Sequence, residues 1–180
     1  GVLEVMVGKQ SILLLDGEPH QRQRKLLMPP FHGEQLRAYA QLICDITRDI
    51  SAGWQPGQTI LARPPIQNLT LGVILQAVFG EQKHERISRL QYLMGTLLDS
   101  FAYPISASFL FFPALQKDLG AWSPRGKFIR LREEVRSLIY AEISDRRQQL
   151  KSSTPNPSEK PDILTLLLQA RDESGGAMSD

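Results

Sequence analysis

The sequence predicts a mostly α fold, about six helices with minimal β structure. Two observations carry that expectation: apolar residues recur at three- and four-residue steps through most of the chain, and prolines fall at the ends of those stretches or between them. A third concerns capacity. At 180 residues, with 42% hydrophobic and 22% charged residues, the chain is long enough for one real core and has the composition of an ordinary globular protein, not of a disordered or collagen-like one.

The opening GVLEVMVGKQSILLL alternates loosely and ends in a short apolar strand or loop, followed by the polar turn Asp16-Gly17-Glu18. Helix one is expected from Pro19 to Met28, because proline suits a first helical turn and Pro29-Pro30 cannot continue one. Helix two is expected over Gly33 to Trp54, where Leu36, Tyr39, Ala40, Ile43, Ile46, Ile50 and Trp54 form an apolar stripe. Gln55-Pro56-Gly57 breaks it, and Thr59 to Ala62 reads as a short strand. After Pro64-Pro65 a third helix, LTLGVILQAVF, is apolar enough to be buried on most sides and ends at a C-cap on Gly80. The fourth covers Lys83 to Phe101, with Ile87, Leu90, Leu93, Met94, Leu97, Leu98 and Phe101 on one face. Tyr103 to Pro124 is irregular and apolar. The fifth helix, Pro124 to Leu150, is long and heavily charged and reads as a surface helix with Phe128, Leu131, Val135, Leu138, Ile139 and Ile143 on its apolar side. KSSTPNPSEK is a loop, and Asp162 starts a short sixth helix, ILTLLLQARD, that ends near Gly175. No fixed-period repeat is present.

Several function classes fall away. Twenty-one basic against 19 acidic residues give a net charge of +2, far from the balance of a dedicated nucleic-acid binder. The single cysteine, Cys44, permits no internal disulfide and no CxxC zinc pair, which points to a reducing, cytoplasmic setting; its place in AQLICDI reads as a packed core thiol. His32 and His84 have no partner at metal-ligand spacing, so no metal site is expected. No stretch approaches the roughly 20 apolar residues that span a bilayer. The N-terminus lacks the zones of a signal peptide, and Ser179-Asp180 look like the start of another helix, so the chain reads as an internal segment.

The stretch DGEPHQRQRKLLMPPFH concentrates polar chemistry. On a helix, His20 and Arg24 project from one face, one turn apart, while Arg22 and Lys25 point largely away. A guanidinium beside an imidazole suits a carboxylate, because arginine gives two parallel charge-assisted hydrogen bonds and stays charged when partly buried. Spacing alone also fits, and favours, a plainer arrangement in which Arg24 pairs with a structural carboxylate and His20 is a satisfied surface residue.

LLLDGEPHQRQRKLLMPPF resembles the segment around helix C of the cytochrome P-450 superfamily, the haem-thiolate monooxygenases, in which a Trp or His, three residues and an Arg supply side chains to the haem propionates. The helix from Gly33, FFPALQKDLGAWSP and DILTLLLQARDESGGAMSD resemble bacterial members in the same order, most closely cyanobacterial ones, and would make 1–180 a partial domain covering helices C to H. The resemblance implies a haem cofactor with His20 and Arg24 as propionate donors. It also implies a channel for an apolar substrate, such as a fatty acid or hydrocarbon, near Leu13, Leu14, Ile105, Phe109, Phe111 and Phe112. Plain core packing is the simpler reading of most of those positions. Arg22 and Lys25 would face an acidic electron donor, a ferredoxin or a reductase, or form an ordinary solvated face.

Three signatures of the family have no match here: the F-x-x-G-x-x-x-C loop of the iron ligand, the A-G-x-x-T of the oxygen-activating helix, and the later E-x-x-R. Glu133-Glu-Val-Arg136 has the last spacing but sits on the fifth helix, where a surface i,i+3 ion pair is expected. The resemblance therefore implies monooxygenase activity for the complete enzyme and none for the isolated segment. The alternative from another class is a non-catalytic helical module for ligand binding or regulation.

Overall fold

Prolines sit where a helix accepts them, and this sets the element boundaries. The computed structural model describes residues 4, 7–8, 11–31, 33–80, 85–102, 120, 123–152, 161–171 and 175–176. Among these are six α-helices: α1 Gly17–Leu27, α2 Glu34–Ser51, α3 Arg63–Phe79, α4 Glu85–Ala102, α5 Pro124–Ser152 and α6 Ile163–Gln169. Short 3-10 turns, Ile12–Leu14 and Pro29–Phe31, bracket α1. The first N–H groups of a helix have no intrahelical acceptor, so α1 starts two residues ahead of Pro19, and α3 starts at Arg63, ahead of Pro64 and Pro65 and well before LTLGVILQAVF.

The expected strand at Thr59 to Ala62 does not form. Those residues are irregular, and no neighbouring strand is available among the described residues to pair with them. The apolar SILLL likewise resolves as a 3-10 turn whose first residues are capped by the Ser11 side chain. Gly80 does terminate α3, with φ of +81°. At the far end Asp162 caps α6, its carboxylate accepting from the Thr165 N–H at 2.8 Å.

α3 is the hub: α2, α4 and α6 pack on it, while α5 packs on α4 and α6. Leu75, Phe79, Leu90 and Leu164 form the buried centre, with Val135, Leu138, Ile139 and Ile143 of α5 against it. Phe101 and Phe128 meet edge to face, ring centroids 5.4 Å apart, at the other end of the α4–α5 pair. Arg86 and Arg89 of α4 pair with Glu142, Asp145 and Glu134 of α5 at 2.6 to 3.1 Å.

Three expectations about burial are corrected. α3 buries Leu71, Leu75, Ala77 and Phe79, but Ile66 and Ile74 lie on a flank that is nearly half exposed. Cys44 is exposed, because Leu42, Ile46 and Ile50 are the more buried stripe of α2 and Cys44 lies off it. α5 is not simply a surface helix: Glu142 and Arg146 are buried on its inner side. Glu133 and Arg136 are the exposed i,i+3 pair expected of them, at 3.9 Å. Among the described residues no helix is long and apolar enough to cross a membrane.

Candidate functional site

α1 is short and mostly polar, and Leu26 is its buried anchor. Asp16 enters the helix in extended conformation, and at the other end the Met28 N–H closes the last turn on the Arg24 carbonyl at 3.0 Å. The Phe31 N–H then reaches the Met28 carbonyl at 3.0 Å, so the chain turns tightly after the helix. Tyr39 of α2 fixes this turn by donating its hydroxyl to the Pro30 carbonyl at 3.2 Å.

The result is an open cleft of about 510 Å³ lined by His20, Arg24, Leu27, Met28 and Phe31 on one side and by Ile12, Leu13, Leu15 and Asp16 on the other. His20 is half-buried and Arg24 is exposed at the rim. The structure thus brings His20 and Arg24 into one cleft whose remaining lining is apolar except for Asp16. A cationic fork and an imidazole beside hydrocarbon suit a ligand that carries carboxylate on an apolar body.

Leu13 lines this cleft with 71% of its surface exposed, whereas the half-buried Leu14 does not line it. Arg22 and Lys25 are exposed and lie off the cleft; each engages a neighbour within the chain. Ile105, Phe109, Phe111 and Phe112 fall outside the described residues, as do His32 and His84. Among the described residues no group of three His, Cys, Asp or Glu is placed to hold a metal ion. A second, larger cleft of about 1250 Å³ runs between α2, α3 and α4, with Asp45, Asp49 and Asp99 among its polar residues; Arg63 pairs with Asp99 at 2.8 Å.

Three apolar members of the first cleft, Leu27, Met28 and Phe31, were within reach of sequence reasoning. Positions 20, 24, 27, 28 and 31 repeat at helical steps, so the stripe that holds the two donors continues through Leu27, Met28 and Phe31. Ile12 and Leu15 come from a non-helical approach and carry no such signal. The buried group around Arg146 was missed, although Val135, Ile139, Glu142 and Arg146 also follow helical steps and so share one face of α5.

Comparison with known proteins gives a consistent result. The family described as cytochrome P450 matches residues 3–180. Among the relatives, the protein designated cytochrome P450 138 in Mycobacterium tuberculosis is 30% identical over 177 residues, covering 98% of this chain and 38% of the relative. Cytochrome P450 135B1 of the same organism is 32% identical over 179 residues, covering 99% and 36%. Among solved structures, the cyanobacterial CYP120A1 with retinoic acid bound superposes with a TM-score of 0.74 at 21% identity, over 99% of this chain and 36% of its own. The chain spans little more than a third of each of these proteins. The structural likeness speaks for the fold.

Proposed function

This chain belongs to the cytochrome P450 family, and from that premise we propose that its α1 cleft is where the complete enzyme grips the propionate edge of haem. The observation that carries the reading is the convergence of His20 and Arg24 on one largely apolar cleft. Haem is a flat apolar ring bearing two carboxylates, and the donor set fits it. The Arg24 guanidinium offers parallel hydrogen bonds to one carboxylate, the His20 imidazole offers another donor one turn away, and Leu27, Met28 and Phe31 supply apolar surface that excludes water beside the ring. Bound haem supplies oxygen activation, for insertion of one oxygen atom from O2 into an apolar substrate.

The remaining assignments follow the same premise. Residues 1–180 form a partial domain that contributes propionate donors and part of the substrate pocket, without the iron-ligating cysteine, and is inactive alone. Leu13 and Leu14, with Ile105, Phe109, Phe111 and Phe112, favour an apolar substrate, a fatty acid or hydrocarbon. Arg22 and Lys25, exposed and off the cleft, serve an acidic ferredoxin-type or reductase donor in the cytoplasm.

The test uses the full-length polypeptide that contains this segment. Losing a charge-assisted hydrogen bond costs about 1.5 to 3 kcal/mol, so His20→Ala and Arg24→Ala should each speed haem transfer to apomyoglobin by roughly ten- to a hundredfold. Unchanged haem retention in Arg24→Ala would overturn the assignment.

A further inference from the structure

The most expensive feature of the fold lies away from the cleft. Arg146 is 7% exposed, and its guanidinium joins three helices. Nη1 donates to the Asp162 carboxylate and to Thr165 Oγ1, the latter at 2.7 Å; Nη2 donates to the Phe79 carbonyl at 3.0 Å and stands 3.6 Å from Glu142. The second Glu142 oxygen accepts from Arg86 of α4 at 3.1 Å, which extends the cluster to a fourth helix. Nε of Arg146 is buried with no hydrogen-bond partner among the described residues. Close approach of Asp162 to the end of α3 depends on Gly80, where a Cβ would lie 2.9 Å from the carboxylate.

Such a cluster is a poor source of net stability, since desolvating the charges offsets most of their attraction and apolar residues of the same volume often serve as well. What a forked, multiply bonded arginine does supply is one geometry. Here that geometry is the seat of α6, a seven-residue helix too short to persist on its own, whose first turn is capped by the same Asp162. α6 in turn packs on the Pro29–Phe31 turn, where Pro30 is fully buried and Phe31 lines the cleft. A continuous path of contacts therefore leads from Arg146 through Asp162 and α6 to the wall of the α1 cleft.

We infer that Arg146 is a positioning residue for that cleft, acting through the Asp162-capped α6 on the Pro29–Phe31 turn. The mechanical coupling stands by itself, and only its consequence for cofactor retention rests on the haem reading above.

Hydrogen–deuterium exchange on the full-length haem-loaded protein, followed over residues 26–31, 163–169 and 88–98, tests it. Arg146→Lys keeps the charge but loses the fork; Asp162→Asn keeps a capping oxygen but loses the charge, and serves if the first variant fails to fold. Either should speed exchange by about tenfold or more in both 163–169 and 26–31 while 88–98, in the core of α4, is unchanged. Haem transfer should quicken in parallel. Faster exchange confined to 163–169 would overturn the inference, because the network would then be only a local cap. Uniform acceleration over all three segments would overturn it equally, as general destabilisation. If the paired pattern appears while Arg24→Ala leaves haem retention unchanged, the coupling stands and the cofactor assignment fails.

Discussion

Single residues carry much of the fine adjustment, and Tyr39 is the one whose protonation can be followed. Burial, and then the nearby negative charge of Asp162, raise its phenol above the ordinary value of 10.0. The folded state thus prefers the protonated hydroxyl, the form that donates to the Pro30 carbonyl. The unfolded chain ionises first as pH rises, so this contribution is complete below about pH 10 and is lost as pH climbs through the raised value. Urea midpoints measured from pH 8 to 11 should fall less steeply in Tyr39→Phe than in the unmodified chain. An identical slope would show that Tyr39 has no part in the alkaline limb. His20 and Arg24 are the residues that spacing made legible, because two long polar side chains one turn apart share a face wherever the helix ends up. Whether they face protein or ligand is set by the approach segment at Ile12 to Leu15, which no periodicity describes.

At the scale of elements, the helices were legible and their starts and neighbours were not. The apolar period located α2 to α5, prolines bracketed α1, and Gly80 and Asp162 were readable as caps; Pro29-Pro30 do end α1, whereas Pro64-Pro65, taken as a boundary, lie in the first turn of α3. Thr59 to Ala62 shows the limit of local pattern: a strand exists only if another strand is there to pair with it. α5 shows a different limit. Charged residues at Glu142 and Arg146 read as solvent-facing, yet tertiary partners on α3, α4 and α6 make their burial possible. The most buried apolar position is on α4, where Leu90 is 1% exposed between α3 and α5. Leu90→Ala should cost about 2 to 5 kcal/mol, from lost transfer energy and the cavity left behind, measured as a drop in urea midpoint without a change in slope. A cost below about 1 kcal/mol would show that α4 can collapse into the space.

Over the whole molecule, apolar surface is distributed unevenly. Leu61 is 83% exposed beside the cleft between α2, α3 and α4, and Ile74 opens a second apolar point on α3. Surface of this kind attracts hydrophobic partners. The folded 180-residue chain is expected to enhance the fluorescence of 8-anilinonaphthalene-1-sulfonate, and the double substitution Leu61→Lys and Ile74→Lys to reduce that enhancement; no enhancement in the unmodified chain would show those positions to be covered. The α4–α5 pairing has the opposite character, being closed at one end by Arg86, Arg89 and their carboxylates and at the other by Phe101 against Phe128. Those contacts hold the two helices together at both ends. Because loop closure costs only about 0.6 kcal/mol for each doubling of length, the length of the connection between Ala102 and Pro124 adds little by itself to the cost of bringing α4 and α5 together. Related sequences can therefore differ in the length of that connection while the two helices keep their register.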